Sequence, residues 1–564
     1  MMDPSTDLSS WMLFAAQLGT IALALALIHR PLGHAMALAY TSRRHLRLER
    51  WLYRAFGVDP DAEQSAGAYI RSVIVFSLIG IVLVVAIQLA QPLLPWSLGL
   101  PAPRVDLALN TAISFVTNTN WQSYSPELTL GYTAQALGLA VQNFLSAAVG
   151  LSVAVALFRA LAPAARETLG SFWVDLTRGT LRILLPLSFA AAVVLLIGGV
   201  VQNLTAPLEV ATLTGGTQSI PGGPVASQEA IKLIGTNGGG FFNANSSHPF
   251  ENPSAAISLA QIVLFLAIPF SLPRTFGEIV GQPRQGRAIV GAMAIMATVS
   301  VVLMTAAELA AAGSAPAAAG AALEGKELRF GIPGSTLYAS ATTLTSTGSV
   351  NSMHSSYTAF GGGMAMLNMM LGEVAPGGVG SGMYGMLLLG IIAVFLAGLM
   401  IGRTPEYLGK QLGPREMGLA SAAVIVSPAL VLIGMALSLA VAGLRESVIG
   451  ESLLSDGAHG FSELLYAFTS AANNNGSAFA GLTANTLWLN LALGAAMLVG
   501  RLAPIVLVLM LAGSLAARRA LPETSGTLPT HTPLFTGLLI GTTLIISALT
   551  YAPALALGPL AEGL

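Results

Sequence analysis

The chain contains no cysteine, which excludes disulfides and thiolate metal sites. Charge is scarce as well. Only 9% of the residues are Asp, Glu, Lys or Arg, against roughly 25% in a water-soluble domain, so a soluble globular protein is excluded. No basic leader and no small-residue cleavage site accompany the first apolar run, which reads as a retained span and not as a removed signal peptide. A Walker A lysine is missing, because "GTNGGG" at 235–240 is not followed by Lys and Ser or Thr. The aspartyl-phosphate signature of a P-type ATPase is missing too, and no hydrophilic connection is long enough for an ATP-binding domain. Any ATP hydrolysis therefore has to occur in a partner. The formal charge of −1 points to no acidic or basic partner, and no nucleic acid is expected to bind.

What is present is apolar sequence, at 54% of residues. Runs of about 20 residues, enough to cross a hydrocarbon core of roughly 30 Å, fall at 9–29, 69–90, 130–157, 182–203, 255–273, 288–309, 383–401, 419–443, 485–511 and 534–554. The chain is thus an all-α polytopic membrane protein with ten transmembrane helices. Arginine alternates between its connections. Arg30, Arg43, Arg44, Arg47, Arg50 and Arg54 follow the first span, and Arg159, Arg166, Arg178, Arg274, Arg284, Arg287, Arg403, Arg415, Arg518 and Arg519 mark later connections on the same side. By the positive-inside rule that side is cytoplasmic, and both termini are periplasmic.

The opposite connections share a pattern. Each carries a short, moderately apolar stretch ending in small polar residues: "ALNTAISFVTNTNWQSYS" (108–125), "EAIKLIGTNGGGFFNANS" (229–246), "ASATTLTSTGSVNSMHSS" (339–356) and "ELLYAFTSAANNNGSAFAG" (463–481). Four copies of span, half-helix, polar loop and span cover the chain from about 69 to 511. The repeats are 69–157 with pore loop 106–124, 182–273 with pore loop 229–246, 288–401 with pore loop 335–352, and 419–511 with pore loop 461–480. The first span with its basic loop (1–68) and the last span (534–554) lie outside them.

Irregular backbone at membrane depth is tolerated where it lines a cavity or is buried in protein. The four stretches are therefore expected to form re-entrant loops around one central pore, each a half-helix dipping in from outside and an extended tail returning along the axis. Half-helices aim their negative C-terminal ends at such a pore, which favours a cation. Gly238, Gly239, Gly240, Gly348 and Gly476 permit the close backbone approach that a carbonyl-lined filter needs. No ring of carboxylates is present for a divalent ion. The residues alone leave open a subunit of an ion pump and a free-standing channel or transporter. An intramembrane enzyme is disfavoured, because the Ser and Thr residues lack a His or Asp partner nearby.

With "TNTNWQSY" (117–124), "GTNGGGFFNANSSHPFENP" (235–253), "GGVGSGMYGMLLLGIIAVFLAGLMIGRTPEYLGK" (377–410) and "TSAANNNGSAFAGL" (469–482), the chain resembles the family of potassium-translocating A subunits (KdpA) of bacterial Kdp-type potassium-transporting ATPases, over essentially its whole length. The resemblance implies a potassium-channel-like fold of four membrane-pore-membrane repeats in a bacterial inner (plasma) membrane. It also implies K+ as the transported ion, with ATP used only at a partner. The partners it implies are a P-type ATPase catalytic subunit, a small periplasmic-facing subunit and a one-span accessory peptide, in contact with membrane lipids. Carried over by position, the filter falls at Thr117, Asn118 and Thr119, at Thr236, Asn237 and Gly238, at Ser346, Thr347 and Gly348, and at Asn474, Asn475 and Gly476.

Three further features stand out. The segment 357–385 is apolar but broken by Gly and Pro, as discontinuous helices around ion pathways are. Within it Glu373, an ionisable residue at membrane depth, reads either as a carboxylate beneath the filter, near the start of the passage that the resemblance implies toward the ATPase subunit, or as a group close enough to an interface to be solvated. "GRTPEYLGK" (402–410) opens a cytoplasmic connection. Its Arg403, Glu406 and Lys410 read either as a solvated surface or, following the resemblance, as a contact with the ATPase partner. Lys232 opens the second half-helix and is expected to snorkel to the outer interface in a structural role. His248, without a second ligand at metal spacing, reads as a hydrogen-bonded loop residue.

Overall fold

A computed structural model describes residues 4–310, 323–400, 402, 405–522 and 527–564, with side chains from residue 8 onward. Among the described residues, ten helices are long and apolar enough to cross a membrane: Leu8–Thr41, Ala66–Leu89, Ala134–Leu161, Phe172–Ile197, Ala255–Ile279, Pro283–Leu309, Ser381–Met400, Pro414–Ala440, Leu487–Ala516 and Pro533–Gly563. Each falls on one of the ten apolar runs. The first is longer than its run because it continues through Pro31 to Thr41 at the arginine-rich end. A short antiparallel hairpin, Leu208–Ala211 with Thr217–Ile220, decorates the opposite side.

Four shorter helices, Val105–Val116, Val225–Ile234, Gly331–Leu344 and Gly457–Asn473, are the half-helices of the four loops. Most of their residues are buried on every face, in keeping with helices packed inside a ring of spans and not against lipid. The first half-helix packs on the second and ninth spans, and the third on the first, fifth and sixth. Side-chain caps start several helices: Ser65, Ser254, Thr358, Thr486 and Thr532 each accept a hydrogen bond from the backbone N–H three residues on. A cap of this kind contributes about 1 kcal/mol.

The third span, Ala134–Leu161, is buried along most of its length, whereas the first is exposed along most of its own. Its sequence explains the difference. "SAAVGLSVAVA" (146–156) is built from small residues that let neighbouring backbone come close. A Cβ at Gly150 would collide with the Val379 carbonyl, so the broken segment of the third repeat rests directly on this glycine. That segment consists of the helix Ala359–Met370, an irregular stretch 371–380, and the seventh span beginning at Ser381. Within 357–385 the helix is interrupted over the ten residues 371–380.

The arginines of the cytoplasmic connections do more than set orientation. Arg159 grips buried Asp175 with two hydrogen bonds of 2.6 and 2.7 Å, and the Tyr69 hydroxyl donates a third at 3.1 Å. Arg182 pairs with buried Glu49 at 2.5 Å, fastening the amphipathic helix Arg47–Ala55 to the fourth span.

Candidate functional site: the four-loop ring and its floor

Three of the four half-helices end where a residue turns the backbone back on itself, and the third ends in extended Thr345. Asn118 (φ 67°), Thr236 (φ 48°) and Asn474 (φ 61°) take the left-handed conformation at equivalent points. Asparagine adopts it readily, but β-branched Thr236 does so under strain, and its hydroxyl is held by the N–H of Val379 at 2.9 Å. The next residue then bonds back to the carbonyl five residues earlier: Thr119 to Ser114, Asn237 to Lys232 and Asn475 to Ser470, each at 2.9 Å. The third loop joins the same register through a hydroxyl pair, since Thr345 and Thr347 meet at 2.6 Å as Thr117 and Thr119 do at 2.9 Å. Thr119, Asn237, Thr347 and Asn475 are therefore structural counterparts. In that register the first triplet, 117–119, begins one residue earlier than the other three, and its counterpart is Asn118, Thr119 and Asn120. The cause is local: the second half-helix gives way to Gly235 as its C-cap before Thr236, so the two "TN" pairs are not equivalent although they look alike in sequence.

Side chains close the loops into a ring. Asn118 donates to the Thr236 carbonyl at 2.8 Å, joining the first loop to the second. Asn245 accepts from Ser349 at 3.0 Å, joining second to third. Asn475 donates to the Thr345 carbonyl at 2.9 Å, joining third to fourth, and Asn474 donates to the Thr119 hydroxyl at 2.9 Å, joining fourth to first. The Asn118, Asn474 and Asn475 amides are thus spent on neighbouring loops, and it is backbone oxygen that faces inward. A Cβ built at Gly238 would lie 2.6 Å from the carbonyl oxygens of Asn475 and Thr347 and 2.9 Å from that of Thr119. Three loops therefore aim a carbonyl at one point, and the glycine of the remaining loop leaves that point free. Gly348 and Gly476 are equally confined: a Cβ at either would collide with the Asn475 or the Thr119 carbonyl, respectively. Such an arrangement can replace the water shell of a monovalent cation with neutral oxygen.

Outside the ring, the loop tails enclose a vestibule of about 460 Å³ that includes Asn120, Gly238, Gly348 and Gly476. Aromatic hydroxyls brace it. Tyr338 meets Ser349 at 2.7 Å, and Tyr466 meets Ser477 at 2.7 Å and the His354 Nδ1 at 2.8 Å. Burial, and then the Lys326 charge, push His354 down to about 4, so this imidazole is neutral at pH 7 and adds no positive charge behind the ring.

Beneath the ring lies the interrupted stretch 371–380, fastened to three of the four loops. Val379 N–H bonds Thr236, Gly377 N–H bonds the Leu344 carbonyl at 3.1 Å, and Glu373 Oε1 accepts from the Asn475 amide at 2.8 Å. Glu373 is buried with a left-handed backbone (φ 49°), and among the described residues its Oε2 meets no donor within hydrogen-bond geometry. It borders a cavity of about 120 Å³ shared with Ser346, Asn474 and Arg501. Glu373 thus joins the interrupted stretch to the fourth loop. Arg501 is the residue that sequence reasoning passed over. It lies inside the 30-residue helix Leu487–Ala516 and is 5% exposed; its signal was an ionisable group in mid-span.

Lys232 does not snorkel. It is buried against Glu229 at 2.5 Å and Glu251 at 3.2 Å, and it donates to Asn245 at 3.0 Å. Two carboxylates inside the protein compensate its charge more closely than the interface would. Asn245 in turn donates to the Gly238 carbonyl at 2.8 Å, so this cluster anchors the second loop. His248 accepts from the Phe250 N–H at 3.1 Å and stacks on Phe242. Among the described residues no group of His, Asp and Glu could hold a metal ion. At the cytoplasmic end, Arg403 lies outside the described residues. Glu406 and Lys410 are buried and turn inward, accepting from Thr527 and donating to the Arg518 carbonyl, respectively, which overturns the reading of these two as solvated surface.

Residues 19–564 match the family described as the potassium-transporting ATPase A subunit, KdpA. The chain is 64% identical over 548 residues to the potassium-transporting ATPase potassium-binding subunit of Clavibacter michiganensis subsp. michiganensis, covering 97% of this chain and 98% of that one. It is 58% identical to the protein of the same name from Cutibacterium acnes, over 98% of this chain and all of the other. Its fold is similar to that of the potassium transporter TrkH from Vibrio parahaemolyticus, with a TM-score of 0.53, 16% identity, and coverage of 90% and 97% of the two chains.

Proposed function

Because the chain belongs to the KdpA family of potassium-transporting ATPase A subunits, we propose that it is the potassium-binding and translocating subunit of an ATP-driven, high-affinity uptake complex, selecting K+ from the periplasm in the four-loop carbonyl ring. The observation that carries this reading is the convergence of the Thr119, Thr347 and Asn475 carbonyls on the space beside Gly238. The fourth ligating position is Asn237 by register. The chain itself performs no covalent chemistry: ATP is hydrolysed in a P-type catalytic subunit, and a small periplasmic-facing subunit and a one-span peptide complete the assembly.

Below the ring, Glu373 attracts the ion as it leaves, and Arg501, lining the same cavity, opposes a run straight on toward the cytoplasm. The ion is thereby turned sideways to the catalytic subunit. Contact with that subunit near 402–410 rests on the fold of the hairpin Glu406–Tyr407 with Lys410–Gln411, since the Glu406 and Lys410 side chains serve internally.

The test is purification through a tag on this chain. A P-type ATPase is expected to copurify and to hydrolyse ATP in response to potassium. Passive potassium flux from vesicles holding this chain alone, with no copurifying ATPase, would overturn the proposal. In the same assay Glu373→Gln keeps the bond to Asn475 and removes the charge. Its expected effect is a maximal rate about tenfold lower, equivalent to roughly 1.4 kcal/mol, with half-saturating potassium little changed. An unaltered rate would remove Glu373 from the pathway.

A further inference from the structure

On the outer flank of the third repeat, the first, fifth and sixth spans enclose an apolar groove of about 280 Å³. It follows the first span from Leu18 to His29, roughly 16 Å of helix, and Leu25, Leu266, Phe270 and Ala294 line it. At its lower end His29 and Val290 also border a second cavity, of about 550 Å³, whose other walls are Arg30, Arg274, Pro283 and Arg287. The apolar slot and a pocket rich in guanidinium groups therefore share His29 and Val290 as a common wall.

The charges there are not balanced from within. Arg274 pairs with Glu278 at 2.6 Å, but its buried Nε has no hydrogen-bond partner among the described residues. Glu278 is shared with His34 at 2.9 Å, and His29 uses its Nδ1 on the Phe270 carbonyl. Arg30 and Arg287 are exposed, and neither has a partner among the described residues. Three guanidinium groups thus line this pocket, and among the described residues only Arg274 of the three is paired with a carboxylate; they stand at the arginine-rich ends of three apolar helices, where phospholipid headgroups of the cytoplasmic leaflet lie.

We propose that groove and pocket together bind one anionic glycerophospholipid. Its phosphate sits among Arg30, Arg274 and Arg287, and one acyl chain lies along the slot. The apolar length alone would suit any lipid; the unbalanced guanidinium groups at its mouth select a negatively charged headgroup. The slot's inner wall includes Leu344, Ala375 and Pro376, so the tail would pack against the same interrupted stretch that carries Glu373.

The full chain, purified in detergent and stripped of lipid, would be equilibrated with equal amounts of phosphatidylglycerol or phosphatidylcholine, and the retained lipid counted by native mass spectrometry. Wild type is expected to retain phosphatidylglycerol in preference. Arg30→Gln and Arg287→Gln, both at exposed positions, should each lower that retention about fivefold, and together roughly thirtyfold. Ala294→Trp, which fills the slot and leaves the arginines in place, should lower retention of both lipids. Equal phosphatidylglycerol retention by wild type and the double arginine variant would overturn the proposal. So would retention that survives Ala294→Trp and is displaced by inorganic phosphate, because that would be an anion site without a tail.

Discussion

Replacing Gly238 by Ala should raise the potassium concentration that half-saturates ATP hydrolysis by the assembled complex at least about tenfold, or 1.4 kcal/mol. The added methyl would stand 2.6 Å from two backbone carbonyl oxygens and 2.9 Å from a third. None of these can swing aside as a side chain could, because their loops are cross-bonded to one another. Gly238→Asp should be more severe, bringing a carboxylate and its bulk into the space on which three backbone carbonyls converge. Potassium titrations of the two variants against wild type, with the amount of assembled complex held equal, are the measurement. A half-saturation point unmoved in both variants would place ion selection elsewhere in the chain.

The second large effect is expected at Lys232. Removing its ammonium, as in Lys232→Met, leaves Glu229 and Glu251 facing each other in the interior, and breaking a buried pair of this kind costs about 3–5 kcal/mol. The variant should unfold in detergent at markedly lower temperature than wild type. Because Asn245 would lose the charge that orients it beside Gly238, potassium half-saturation should shift as well. A companion variant, Lys232→Met with Glu229→Gln and Glu251→Gln, should recover most of the stability, since exchanging a whole buried charge cluster is often close to neutral. Full stability of the single variant would show that the two carboxylates are not both ionised in the folded protein.

These two residues also mark the limits of what the sequence made legible. Ten spans could be read because 20 apolar residues in a row have few other uses. The four loops could be read because small polar residues recur at the same place in each repeat, and Glu373 because a carboxylate in an apolar run is conspicuous. The register was less accessible. Whether a half-helix stops at Thr117 or at Gly235 is decided by cap geometry, and a one-residue difference there is invisible in "TNTN" and "GTNG". The burial of Lys232 is illegible in sequence, because its second carboxylate, Glu251, arrives from 19 residues away to join Glu229. Arg501 was hidden by the strength of its surroundings, a helix so apolar that one charge left its assignment as a span untouched. The guanidinium pocket is a product of tertiary structure, joining Arg30 of the first span to Arg274 and Arg287, which flank the turn between the fifth and sixth spans.

The ring is closed by four different side-chain links within a single chain, and this bears on how its energetics can be measured. In a homotetrameric pore any substitution enters four times, so a change worth about 1 kcal/mol per subunit is raised to the fourth power in an equilibrium constant, from roughly fivefold to several hundredfold. Here Asn118, Asn245, Asn474 and Asn475 can each be altered alone, and each change perturbs one quadrant of the ion's surroundings. Small differences in ligand geometry, which symmetry would magnify until conduction failed, can in this protein be titrated one quadrant at a time.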